Sequence, residues 1–340
     1  MINPTQVATV VIGAMLSAGV FYGGFDLAVA GSSEAAGATP KMSPAAAAIG
    51  GSGKTPAIFA EAATPVAPPP AAKQLATEQH GRAYLFRGAL GPIFSRGIDR
   101  LTERIEQAGI TASVNEFTIC RLIAAMAIRE YRQDPAPITL IGHSMGGFCA
   151  LKFAEILQAE DIPVSLVVTI DPAHVSPTVP LNVERYINIF LSDSVLGGGD
   201  VVPTQGYQGQ YASFDLSKHE EVTHINIEKM DSVHEQLVTK IVQLATTPAK
   251  AEGEPVPLRY VVPPDTAIEL WDGGMPVFAR SGETLQTIAA FHHVPLWSLT
   301  QINQTSDSAP LVRGQRVIVP RHLVPLAAVS AVSRQSPSKR

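Results

Sequence analysis

A short segment, Gly142-His143-Ser144-Met145-Gly146, is the part of this sequence best equipped for chemistry. It follows the apolar run Ile138-Thr139-Leu140-Ile141 and opens a helical pattern over 146–158 that is apolar nearly all round. A serine flanked by glycines at a strand-to-helix junction sits on a tight, strained bend. That bend raises its hydroxyl above the C-terminal edge of the sheet, where open α/β sheets bind ligands. The helix N-terminus beneath it favours developing negative charge. The backbone N–H of Met145 would point at a substrate oxyanion. A serine hydroxyl is a weak nucleophile alone. It needs a histidine to take its proton and a carboxylate to hold that histidine's tautomer.

The pentapeptide in its strand–turn–helix setting resembles the α/β-hydrolase superfamily, especially its esterases and lipases. The resemblance implies a second oxyanion donor from the turn after an early strand, often written His-Gly-x. Here Arg87-Gly88-Ala89 stands at that place, which makes Ala89 N–H the donor and Leu90 its neighbouring alternative. It also implies the chain order serine, acid, histidine. Two acids then qualify. Asp171 ends a strand in Thr169-Ile170-Asp171-Pro172-Ala173-His174, and Asp193 ends the next in Leu191-Ser192-Asp193-Ser194. Strand-end logic favours Asp171. Of the nine histidines, His224 and His234 follow these acids at the end of the domain. His224 lies on a loop before a helix, where the family keeps its base. His234 lies inside that helix beside Val233, Leu237, Val238 and Ile241, a core-flanking spacing. His143 is expected to point away along the turn, and His174 is at most a pocket residue.

Several elements must position these groups. Ala83-Tyr84-Leu85-Phe86 reads as a buried strand. Residues 98–105 have helical spacing, 112–117 read as a strand and 121–132 as a helix closed by Pro135-Ala136-Pro137. Val164–Ile170 and Ile187–Leu191 are further apolar strands. Strands apolar on both faces, alternating with helices, imply a parallel sheet covered on both sides. The fold class expected is therefore α/β: a minimal hydrolase sandwich of about six strands over 78–246. Segments 175–186 and 195–210 would wall the pocket, with Gly197-Gly198-Gly199 suggesting mobility.

The flanks read differently. Residues 7–22 form an apolar run, short for a membrane span of about 20 residues. Ala28-Val29-Ala30 behind it suits a signal peptidase, so residues 1–30 read as a signal peptide. An uncleaved anchor over 7–25 is the alternative, since Asp26 interrupts the site and no Lys or Arg precedes the run. Residues 31–77, rich in Ala, Pro, Gly and Ser, suit a flexible tether. Inside it, Ala48-Ile49-Gly50-Gly51-Ser52-Gly53-Lys54-Thr55 imitates a phosphate loop. It lacks the strand and helix that such a loop needs, and Pro56 follows at once.

A second linker at 247–258 leads to a strand, helix, helix, strand pattern over 259–322, with its core at 276–320, before a tail at 323–340. Ser281 could cap the first helix and Thr284 open its apolar face. This stretch, with Gly282-Glu283-Thr284-Leu285, Asn303 and Gly314-Gln315 to Ile318-Val319-Pro320, resembles a LysM domain. Such domains bind N-acetylglucosamine polymers, peptidoglycan or chitin. The resemblance implies a groove lined by Gly282, Glu283, Thr284 and Asn303.

The net charge of −5 gives no basic face for nucleic acid or an anionic membrane. Cys120 and Cys149, the two cysteines, fit no zinc spacing and could pair in an oxidising compartment. No metal-ligand spacing stands out, and the chemistry calls for no cofactor. The expected function is an exported serine hydrolase acting on carboxylic esters and held to cell-wall glycan. The alternative is a catalytically idle hydrolase fold that binds peptidoglycan through its C-terminal module.

Overall fold

The structure, a computed structural model, describes residues 81–89, 91–247, 254–306 and 309–324. The signal or anchor segment, the tether, the phosphate-loop imitation, residues 248–253 of the second linker and nearly all of the tail lie outside the described residues.

Seven strands form one sheet. They are β1 (Arg82–Arg87), β2 (Thr111–Glu116), β3 (Ile138–His143), β4 (Leu166–Ile170), β5 (Arg185–Phe190), β6 (Gln210–Asp215) and β7 (Leu258–Val261). The order is β2-β1-β3-β4-β5-β6-β7, and every neighbouring pair is parallel. The chain leaves β1 for β2 on one side, then returns to place β3 on the other. Strand order thus reverses between β1 and β3, and a crevice opens outside their C-terminal ends. Ser144 follows β3 and Gly88 follows β1, so both stand at that crevice.

The two sheet faces bury different side chains, as the two-residue strand period requires. On β1, Ala83 and Leu85 face a core shared with helices α1 (Arg96–Gln107) and α4 (Asp231–Thr246). Tyr84 and Phe86 face the opposite core, covered by α2 (Cys120–Gln133) and α3 (Met145–Gln158). In α1, Ile98, Leu101 and Ile105 recur at helical spacing on the buried side, while Arg100, Glu103 and Glu106 lie exposed. Each such buried aliphatic side chain contributes about 1.5–3 kcal/mol. Cys120 and Cys149 are free, buried thiols facing the same core.

The structure has one strand more than the six expected. Gln-Tyr-Ala-Ser-Phe-Asp at 210–215 forms β6, although Gln210, Ser213 and Asp215 interrupt its apolar character. Strand β7 falls where the sequence assigns the end of a linker and the start of the C-terminal region, yet it pairs with β6 from Ala212↔Leu258 to Asp215↔Val261.

The C-terminal module consists of β8 (Trp271–Phe278), α5 (Leu285–His292), α6 (Leu296–Asn303) and β9 (Arg316–His322), with β8 and β9 antiparallel. Leu285, Ile288, Ala289, Leu299, Val317 and Val319 make its own small core. Thr284, not Ser281, is the N-cap of α5: its side chain accepts from Thr287 N–H, and the Thr287 hydroxyl accepts from Thr284 N–H.

This module is packed onto the seven-stranded sheet. Trp271 is fully buried among Phe214, Tyr260 and Trp297, at ring separations of 5.8, 4.9 and 5.6 Å. Asp272, also buried, faces Lys240 at 3.4 Å, Arg185 at 3.6 Å and Arg321 at 2.7 Å. Gln301 of α6 brackets the edge strand: its amide donates to Val261 O and accepts from Val261 N–H. That covers a backbone edge that would otherwise be open to pairing.

Candidate active site

The G-x-S-x-G glycines stand where backbones meet. A Cβ on Gly142 would strike the Gly146 carbonyl, and one on Gly146 would strike the Phe86 carbonyl of β1. Ser144 between them has φ 54° and ψ −120°, a left-handed conformation costly for a non-glycine residue. It is buried, and its Oγ makes no hydrogen bond. Met145 is the first residue of α3, where N–H groups have no intrahelical partner. Gly88 passes so close that a Cβ there would lie 3.0 Å from Ser144 Cβ and 3.2 Å from His143 O. The turn after β1 is thus pressed against the serine, and Ala89 follows in it, half-buried. Leu90 lies outside the described residues.

Asp171 follows β4, fully buried, at φ 42°. Its Oδ2 lies 2.6 Å from His224 Nδ1, and its Oδ1 accepts Leu191 N–H at 3.1 Å. A carboxylate only accepts, so Nδ1 carries the hydrogen and Nε2 is left as the basic nitrogen. The turn beyond Asp171 is tied to the serine by Ala173 N–H donating to Ser144 O at 3.2 Å. His224 lies on the loop before α4, with its ring 4.8 Å from that of His143.

The structure therefore brings Ser144, Asp171 and His224 to one edge of the sheet, with Gly88, Ala89 and Met145 around the serine. It does not bring in the alternatives. Asp193 is exposed. His234 is buried in α4 and donates from Nε2 to Glu228 O at 2.9 Å, with its pKa lowered first by burial. His174 is exposed on the turn past Asp171. His143 does not point away. Its Nε2 meets the His224 carbonyl at 2.9 Å.

Two supports escaped the sequence reading. Glu228 on the His224 segment reaches under α1 and accepts Ile98 N–H at 2.8 Å, as a helix-end carboxylate should. Burial raises its pKa to about 7, against the pull of Lys229. A polar row crosses the sheet in register, Thr169↔Asn188↔Ser213↔Arg259. Asn188 donates to Gly199 O, while Ser213 and Arg259 both donate to Asp200. This row ties down the glycine loop that the sequence suggests is mobile. Gly197 in that loop lies against Asp171, where a Cβ would stand 2.8 Å from the carboxylate carbon. Only the serine motif carried a sequence signal; the row becomes visible once register is known.

At the C-terminal module, Asn303 donates both amide hydrogens, to Leu299 O and Ile318 O, and accepts Ile318 N–H. It joins α6 to β9 and has no donor left for a sugar. Glu283 accepts Arg280 N–H, Thr284 is engaged as a cap, and Gly282 has φ 81° with open space around it. No cluster of metal-ligand type and no membrane-length apolar helix occurs among the described residues.

Residues 115–185 match the family model described as the thioesterase domain, and residues 279–320 match that of the LysM domain. No curated protein matches the chain significantly. Among solved structures, the chain is similar to a hydrolase of the α/β superfamily from Xanthomonas campestris pv. campestris, at 16% identity, covering 37% of this chain and 76% of that one, with a TM-score of 0.27. It is similar to an esterase domain from a Rhodothermus marinus protein, at 15% identity, 50% and 89% coverage and a TM-score of 0.33. Est1E from Butyrivibrio proteoclasticus matches at 14% identity, 49% and 87% coverage and a TM-score of 0.28.

Proposed function

We propose that this chain, an α/β-hydrolase-type domain followed by a LysM domain, is a serine hydrolase that cleaves carboxylic esters while held to cell-wall glycan. The observation that carries the reading is the buried Asp171–His224 pair on the turn tied to a serine in a strained left-handed bend. In this reading His224 Nε2 takes the proton of Ser144 as Oγ attacks the ester carbonyl. The N–H groups of Met145 and Ala89 receive the oxyanion. His224 returns the proton to the leaving alcohol, and water then hydrolyses the acyl-enzyme by the same route. Asp171 holds the His224 tautomer throughout.

The LysM domain would hold an N-acetylglucosamine polymer such as peptidoglycan. Export through residues 1–30, or anchoring by residues 7–25, would bring the enzyme to that polymer. Labelling by a fluorophosphonate probe tests the serine. Labelling is expected in the wild type and in Ser192→Ala but not in Ser144→Ala. Wild-type protein that folds and does not label would sink the hydrolase reading.

One observation favours a second reading, an idle hydrolase fold that only binds glycan: Ser144 Oγ makes no hydrogen bond. Catalytic hydrogen bonds often tighten only when substrate is bound, so this does not displace the first reading. Co-sedimentation with insoluble peptidoglycan, without probe reactivity, is the result that would favour it.

A further inference from the structure

A second histidine is built into the proposed site without being part of the triad. His143 stands between Gly142 and Ser144 and is almost wholly buried. Its two ring nitrogens are both engaged: Nε2 lies 2.9 Å from the His224 carbonyl oxygen, and Nδ1 lies 2.8 Å from Ser95 Oγ. A carbonyl can only accept, so Nε2 carries a hydrogen. Burial keeps the ring neutral and pushes its pKa down to about 3, with the His224 ring and Lys229 also opposing a charge there. A neutral imidazole with its hydrogen on Nε2 accepts at Nδ1. The Ser95 hydroxyl must therefore donate to it. That leaves the Ser95 oxygen free to accept the Gly88 N–H, which lies 3.2 Å away.

The result is one polarised chain: Gly88 N–H to Ser95, Ser95 O–H to His143, His143 N–H to the His224 carbonyl. Its first member belongs to the turn that presents Ala89. Its last is the backbone of the proposed base. Its middle is the residue before the proposed nucleophile. Ser95 is itself fully buried, so no water competes freely for these groups.

We propose that His143 is a positioning residue, one neutral imidazole that fixes the oxyanion turn and the His224 loop relative to Ser144. This rests on the serine-hydrolase reading above. A leucine or phenylalanine would fill the same volume, but neither would orient both neighbours. Misplacement of a reacting group by about 1 Å is enough to cost on the order of 10²-fold in rate.

The test uses the full chain, hydrolysis of p-nitrophenyl butyrate and the rate of fluorophosphonate labelling. His143→Leu is expected to lower kcat and the labelling rate by on the order of 10²-fold, with KM within about twofold, because it disturbs geometry rather than binding. His143→Gln keeps a donor for the His224 carbonyl and should recover much of the loss. Ser95→Ala, a smaller change should the leucine variant misfold, leaves Gly88 N–H and His143 Nδ1 unpaired and should also lower kcat. Because the two residues act through one chain, the Ser95→Ala/His143→Leu double variant should lose less than the sum of the single losses. A folded His143→Leu or Ser95→Ala protein with wild-type kcat overturns the proposal, as does a glutamine variant no better than leucine. Ser144→Ala in the same assay separates the failures. Turnover surviving there overturns the serine reading, whereas turnover lost there but intact in His143→Leu overturns only the role of His143.

Discussion

Asp171 and Glu228 are both buried carboxylates, yet their surroundings give them different work. Asp171 accepts from His224 Nδ1 and Leu191 N–H, so its charge is matched. Asp171→Asn would keep the shape but present the wrong partner to the imidazole. We expect kcat to fall by roughly three to four orders of magnitude with the melting temperature little changed, measured on a chromogenic ester. Glu228 holds a helix end while desolvated, and its pKa rises from 4.5 to about 7. A carboxyl whose pKa is higher folded than unfolded is protonated more readily in the folded state. Its stabilising contribution is full below the unfolded value and is lost as pH climbs through the folded one. Glu228→Gln keeps an acceptor for Ile98 N–H without the charge. Denaturant titrations should show the variant gaining on wild type between about pH 4.5 and 7, by about 3 kcal/mol. A pH-independent difference would show that Glu228 is not desolvated as described. The serine was legible from the sequence because its glycines are written beside it. Glu228 was not, because its partner Ile98 is far away in the chain.

At the level of elements, the bend after β3, the turn after β4 and the loop after β5 decide whether the site assembles. The glycines of the bend mark where strand and helix backbones touch, which is why the motif can be read from the chain alone. Gly197 is a different case. The sequence shows three consecutive glycines and suggests a mobile wall, but the structure presses Gly197 against Asp171 and ties Gly199 to Asn188. Gly197→Ala should therefore push on the Asp171 carboxylate. We expect kcat to drop at least about tenfold with the fold retained by circular dichroism, since a small misplacement of an orienting group is costly. Unchanged kcat would mean that the loop moves aside at no cost. Strand β6 escaped the sequence reading for a related reason. Its Gln210, Ser213 and Asp215 are buried with neighbouring partners, so the strand need not be apolar to be central.

For the molecule as a whole, the second linker does not separate the domains as the sequence suggests. Trp271, Tyr260, Trp297 and Phe214 make one aromatic cluster across the hydrolase-type sheet and the LysM domain. Trp271→Ala should cost about 3–5 kcal/mol, the range for removing a large buried aromatic side chain. Asp272→Ala should cost a similar amount, because buried Lys240 would lose the carboxylate it faces. Calorimetry of residues 78–324 should give a single cooperative transition that both substitutions lower. Two separate transitions in the unsubstituted protein would show that the domains unfold independently.

The sequence alone determined the serine bend, the alternation of strands and helices that makes a parallel sheet, and the two-helix C-terminal module. Each of these is encoded by neighbours in the chain: glycines beside a serine, and apolar residues at strand or helix spacing. Tertiary structure paired Asp171 with His224, left Asp193 exposed and seated His234 against Glu228 in α4. It bonded Asn303 to the backbone of α6 and β9, turned His143 toward the His224 loop and added β7 to the sheet. Those outcomes depend on which strand lies beside which, and in what register. That is a property of distant segments meeting, and local spacing does not record it.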